Sequence, residues 1–399
     1  MTRASRPKTP FRRLVALVAL ALPALAAGAQ SPSRRIELSD SLRSAATREP
    51  RTASPVRQVT HLQPVTPEPR LGEGLLRNSF IRDQAILGLL VYGPSFAATV
   101  TNEPVAWSAA YLVVGGGSYF AAAELSRALT ITEPTSWLAT QSAVRGGLAG
   151  WALGFANDEN RHHRAAAIFF GSVAGTAAAL AVGRGMTDGE VAASTFGADL
   201  TALAGLGATY VINPSAGGRA RAGVTAIAGL AGYPLGYFYA SRASYRVTPG
   251  DVTTLWTSAA IGATAAAALI ANGAPSTRTV AATLTAGALA GAFLGDRLLV
   301  RRFDHTPEDG RIVALWAAGG GLMGAGVGVL TGAAHDRVSA ATAAMMAAGA
   351  VGGVFFAERY LTPPGDRRTA LSRLELNGAG VLAALSGAPG NHSFLRWTF

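Results

Sequence analysis

The stretch Ala286–Arg297, AGALAGAFLGDR, places glycine at every fourth position (Gly287, Gly291, Gly295) and stops at a charged pair. Each glycine inside a helix costs about 1 kcal/mol against alanine. Something only glycine permits must offset that cost. Residues four apart lie on one face of a helix. A face without side chains lets a second backbone approach, where dispersion and weak Cα–H···O contacts act. The stretch therefore reads as a helix with a glycine seam. The spacing recurs at Gly146, Gly150 and Gly154, at Gly171 and Gly175, and at Gly232 and Gly236. It recurs again at Gly320, Gly324, Gly328 and Gly332, then at Gly349 and Gly353. Compositional bias would enrich glycine without setting it at intervals of four.

Short polar breaks separate these apolar runs, and they carry a periodicity of their own. They read TEPT at Thr132, TDGE at Thr187, TPGD at Thr248, TPED at Thr306 and TPPGD at Thr362. The intervals are 55, 61, 58 and 56 residues. At Thr187, Thr248 and Thr306 an acid follows three residues on (Glu190, Asp251, Asp309), the spacing of a capping box. These three threonines are expected to cap helices, with the acid at the positive helix end. Arg127, Arg184, Arg242, Arg297 and Arg359 stand a few residues before the breaks, where a cation suits the end of a preceding helix. The opposite breaks are TNEP, NDENRHHR, NPSAGGRAR, NGAPSTR and GAAHDR. Residues 80–369 thus read as an all-α repeat of about five Gly/Ala-rich hairpins, about ten helices in all. Strands fit poorly because alanine dominates the runs.

Nearly half of the 399 residues are hydrophobic (49%) and only 14% are charged, against about 25% in soluble domains. Cysteine is absent and Lys8 is the only lysine. Disulfides, thiolate chemistry, a Walker-type phosphate loop and a Schiff-base lysine in the body are therefore excluded. Five positive charges of the net +11 (Arg3, Arg6, Lys8, Arg12, Arg13) sit in a leader, which leaves 11 − 5 = +6. That balance gives no reason to expect a nucleic-acid partner. The leader itself, residues 1–29, runs from basic to apolar to small residues, with Ala27 and Ala29 at the A-x-A positions of a secretory signal. Residues 30–79 are rich in Pro, Arg and Ser without an apolar face, and read as a disordered tether.

No HExxH, G-x-S-x-G or paired-cysteine motif occurs. Gly321, Gly324 and Gly326 echo a nucleotide loop but lie inside a glycine ladder. Asp158, Glu159, His162 and His163 offer metal-type donors, but Arg161 and Arg164 oppose a cation, and a solvated turn is the expected reading. Neither a catalytic site, a cofactor nor a metal is expected. Two charges stand in the middle of apolar runs: Arg145, 13 residues after Thr132, and Asp199, 12 after Thr187. In stacked hairpins they lie at nearly equal depth, so they are expected to form a buried ion pair. A polar conduction path is the alternative.

The runs have the length of bilayer spans, and small-xxx-small ladders are a membrane association motif. Trp107, Trp137, Tyr210, Tyr237 and Tyr239 near run ends suit interfacial belts. The weak apolarity of Ala and Gly points the other way. So does the arginine in the threonine breaks, which run against the positive-inside tendency if the N-terminus is exported. A transmembrane fold is the expectation, with a soluble periplasmic solenoid as competitor.

Residues 370–399 differ again. LSRLELNG and NHSFLRWTF alternate like strands and suggest a short β-hairpin. Leu395, Trp397 and the terminal Phe399 on one face resemble the C-terminal strand signature of outer-membrane β-barrel proteins. That resemblance implies an outer-envelope address, while the body lacks a barrel's alternating strands. The combined expectation is an exported envelope membrane protein, not an enzyme. It would scaffold by contact with lipid, with itself or with an envelope partner. A channel or transporter working through Arg145 and Asp199 is the alternative.

Overall fold

The computed structural model describes residues 71–157, 160–333, 338–361, 374–376 and 395–397. The body is all-helical. Helix α1 runs through Leu71–Leu87, a π-helical turn Gly88–Tyr92 and Gly93–Val100. It is followed by α2 (Pro104–Ala128), α3 (Glu133–Asn157), α4 (Arg161–Val182), α5 (Asp188–Ile212) and α6 (Gly218–Arg242). Then come α7 (Pro249–Ile270), α8 (Thr277–Gly295, extended by a π turn Asp296–Val300), α9 (Pro307–Ala333) and α10 (Val338–Leu361). Leu374–Leu376 pairs antiparallel with Leu395–Trp397. The residues that would join these two segments lie outside the described residues, as do the leader and most of the tether.

Helix α1 begins nine residues before the expected boundary at Phe80. The added turns are rich in Gly and polar residues (Gly72, Glu73, Gly74, Arg77, Asn78, Ser79), which leaves no apolar period, and Arg77 Nε donates to the Ser126 hydroxyl of α2 (3.0 Å). Phe80, Gln84 and Leu87 are all buried at helical spacing.

Consecutive helices pack most extensively on each other as α1/α2, α3/α4, α5/α6, α7/α8 and α9/α10. Between these pairs one pattern recurs. Helix α1 touches α3 and α4, α3 touches α5 and α6, α5 touches α7 and α8, and α7 touches α9 and α10. Helix α5 is the centre, half buried along its apolar window; α2 is peripheral, with 11% of its window buried.

The threonine breaks at Thr132, Thr187, Thr248 and Thr306 gather at one end of the molecule; the fifth, at Thr362, lies outside the described residues. Here the helices start on side-chain caps. Thr187 and Thr248 form reciprocal capping boxes with Glu190 and Asp251. Thr306 receives the Asp309 N–H at 3.3 Å, and the Asp309 carboxylate receives the Thr306 N–H at 3.0 Å. Successive breaks also touch. The Thr135 hydroxyl donates to the Gly183 carbonyl (3.0 Å), and the Thr248 hydroxyl donates to the His305 carbonyl. A Cβ on Gly189 or Gly250 would collide with the backbone of Val247 or Thr306, so these glycines are needed where one break lies on the next. The main core clusters sit at this threonine end, around Phe196, Val252 and Leu255, around Phe80 and Leu138, and around Val313 and Ala357.

Beyond these clusters the interior holds many small hydroxylated residues, and large apolar side chains lie outside. Thr135, Ser142, Ser172, Thr195, Thr254 and Ser258 are buried. Several satisfy their hydroxyls on the preceding turn of the same helix, as Ser258 does on the Thr254 carbonyl (2.8 Å). Leu90, Leu112, Phe120, Phe170, Leu322 and Leu330 are exposed. Among the described residues seven helices (α2, α4, α5, α7, α8, α9 and α10) are long and apolar enough to cross a membrane.

Candidate functional site

Each of the runs 104–123, 165–183, 222–241, 252–270, 279–295, 312–333 and 338–357 contains no Asp, Glu, Lys or Arg. At 1.5 Å per residue these runs are about 25–33 Å long. Helices α3 and α5 break the rule with one charge apiece, Arg145 and Asp199. Starting from caps at the same end, they carry these residues about 18–20 Å inward.

The structure brings the two side chains together. Arg145 donates from Nε to Asp199 Oδ1 (2.8 Å) and from Nη2 to Asp199 Oδ2 (2.5 Å). Its Nη1 donates to Gln141 Oε1, one turn earlier on α3, at 2.6 Å. Tyr233 of α6 stands near enough to feel both charges. Both side chains are largely shielded, at 23% and 22% exposure. The fork geometry matches guanidinium to carboxylate and engages both carboxylate oxygens. Arginine releases no proton near neutral pH. The arrangement therefore braces α3 against α5, and it offers neither a nucleophile nor a proton relay.

The ladder glycines lie where paired helices cross. A Cβ on Gly291 would strike the Ser258 carbonyl of α7, one on Gly287 would strike Ala266 and the Gly262 carbonyl, and one on Gly295 would strike Ser258. Gly320 and Gly349 face each other's carbonyls, Gly324 faces that of Met345, and Gly328 faces Thr342. Gly332 is buried near the far end of α9. Gly197 and Gly262 join the crossings opposite Gly232 and Gly287. With no glycine four residues before or after them, they show no ladder in the sequence.

A second buried cluster was not legible in advance. His305, in the turn between α8 and α9, meets Asp251 Oδ1 through Nδ1 (3.1 Å) and Glu358 Oε1 through Nε2 (2.8 Å). Its backbone N–H also donates to Asp251 Oδ1 (3.3 Å). All three side chains are at most 3% exposed. Burial alone would pull the imidazolium pKa down. The two carboxylates outweigh it and raise the pKa to about 9. His305 therefore joins the starts of α7 and α9 to the end of α10. The one hint in the sequence is spacing: the partners are 54 and 53 residues away, close to the interval of the breaks.

In the NDENRHHR break, His162 is engaged with the Ala98 carbonyl (2.7 Å) and Asn102 (2.9 Å). Asp158 and Glu159 lie outside the described residues. Among the described residues no group of three His, Cys, Asp or Glu has the arrangement to hold a metal ion. Compared with protein-family models, with curated proteins and with solved structures, the chain matches none.

Proposed function

We propose that this chain is an exported envelope protein that spans a membrane as a stack of repeated hairpins, joined by glycine seams, and that its role is to scaffold. The observation that carries the reading is the charge-free zone. Its thickness, about 25–33 Å along seven helices, is that of a bilayer's hydrocarbon core. Large apolar side chains cover its outside, where water would disfavour them. Small and hydroxylated residues fill its inside, the preference of helices that associate in lipid. Charges and the aromatic Tyr237 and Tyr239 collect toward the ends. The leader supports export, and the recurring contact between hairpins supports a repeat. A scaffold accounts for the engaged Arg145–Asp199 pair and for the absence of catalytic motifs.

The test exploits the lack of cysteine. Carbonate should leave the protein in the membrane pellet. In sealed vesicles, single cysteines at Arg302→Cys (threonine end) and Ser215→Cys (α5–α6 break) should react with an impermeant maleimide from opposite sides. Carbonate release would support the soluble solenoid instead, and labelling of both from one side would exclude spanning.

Conduction is the second reading. The Arg145–Asp199 pair retains about a fifth of its surface accessible and is the one opposite-charge pair in the apolar zone among the described residues. Ion flux in liposomes that vanishes when the pair is replaced by leucines would favour it.

A further inference from the structure

At the threonine end, between the close of α6 and the close of α8, lies a recess of about 320 Å³. Phe238, Tyr239, Arg242, Ser244, Tyr245 and Arg301 line it. Three of these residues are tied together by Asp296, the first residue of the π turn. Asp296 accepts from the Tyr239 hydroxyl (2.8 Å), the Tyr245 hydroxyl (2.7 Å) and Arg301 Nε (2.7 Å). The π turn makes this possible. The Arg301 N–H returns to the Asp296 carbonyl at 3.0 Å, which sets residues five apart on one face. With its carboxylate engaged by three donors, Asp296 has little left to offer a further cation.

The arginines retain capacity. Arg301 uses Nε on Asp296, and among the described residues its terminal nitrogens make no hydrogen bond and remain for another acceptor. Arg242 makes no ion pair among the described residues. Its guanidinium lies over the Phe238 ring, 5.2 Å from the centroid. Two guanidinium forks beside a serine hydroxyl match the oxygens of a phosphate group. Phosphate alone would not need the neighbouring surface. Leu235 and Phe238 on α6, and Leu294 and Leu298 on α8, are each about half exposed within the last turns next to the recess. A ligand suited to both halves has an anionic phosphate head and an apolar tail.

We propose that this recess binds the phosphate of an anionic phospholipid, with the acyl chain along the exposed face of α6 and α8. The assignment rests on the membrane reading. The two fail separately: carbonate release of the chain overturns the membrane reading before any lipid is added.

The experiment is native mass spectrometry of the full chain in detergent, exchanged against phosphatidylglycerol or phosphatidylcholine. The parent protein should retain phosphatidylglycerol in preference to phosphatidylcholine. Arg242→Ala, and Arg301→Ala in addition, should each weaken phosphatidylglycerol retention about fivefold, the loss typical of a cation near a membrane surface. Arg219→Ala at the opposite end should leave retention unchanged. Because Arg242 makes no ion pair, its variant should melt like the parent, which separates binding from folding. Equal retention of phosphatidylglycerol by Arg242→Ala and the parent, or no preference over phosphatidylcholine, overturns the site. Glycerol 3-phosphate at the same concentration should not displace the lipid. If it does, the tail contributes nothing and the lipid assignment falls.

Discussion

Arg145 and Asp199 depend on each other because each would be costly alone. Removing one partner leaves an unpaired charge in a largely shielded setting, at a cost of roughly 3 kcal/mol. Arg145→Leu and Asp199→Leu should each lower stability by about that much, and the double variant should recover most of it. Thermal melts in detergent give the coupling as a double-mutant cycle. Additive losses would mean that the pair braces nothing. His305 gives a pH signature. Its folded pKa, about 9, lies above the ordinary imidazole value of about 6.5. The stability from this raised pKa is therefore fully present below about pH 6.5 and lost as pH rises through about 9. The shift corresponds to on the order of 3 kcal/mol. The melting temperature of the parent should fall between pH 7 and 10, and His305→Gln should flatten that slope. An unchanged slope would remove His305 from the account.

Among the elements, α7 and α8 show why glycine recurs every fourth residue. Gly291 faces a backbone carbonyl, and a carbonyl on a packed helix cannot rotate away as a side-chain tip could. Gly291→Leu should therefore lie at the upper end of overpacking costs, about 3 kcal/mol. Ala290→Leu, its exposed neighbour on α8, should be nearly silent. Similar melting of both variants would show that the helices do not meet along this face. The capping threonines act at the same scale but reach beyond their own helix. The Thr248 hydroxyl both receives the Asp251 N–H (3.1 Å) and donates to the His305 carbonyl, so one residue starts α7 and holds the next break in place.

Across the whole molecule, packing and solvation divide between the ends. The core clusters and stacked breaks concentrate at the threonine end. Toward the other end the helices part, leaving a cleft of about 760 Å³ lined in part by Ala268, Leu269, Asn272, Thr331 and Ala344. Ile212 and Leu269, at 82% and 84% exposed, also lie toward that end. In lipid such exposure costs nothing, since tails are as apolar as leucine. The proposed topology thus explains how a chain with a small-residue interior and a large-residue exterior can be stable.

The sequence by itself determined the helices, the breaks between them, most of the crossing glycines and the equal depth of Arg145 and Asp199. These are local matters: a cap needs three residues, a ladder needs one helix face, and depth follows from counting along a helix. Only the tertiary structure decided which faces meet. Gly197 and Gly262 have no glycine four residues away in their helices and acquire meaning from Gly232 and Gly287 across the crossing. Asp251, His305 and Glu358 come from separate segments, and no periodicity within any of them marks the cluster. The start of α1 is concealed because Gly72, Glu73, Gly74, Arg77, Asn78 and Ser79 leave it without an apolar period, while Arg77 finds Ser126 only across on α2. The recess beside Asp296 needs a π turn to bring Arg301 back over a carboxylate five residues earlier. Such sites arise where distant segments converge, and convergence is set by the packing of the whole chain rather than by its neighbouring residues.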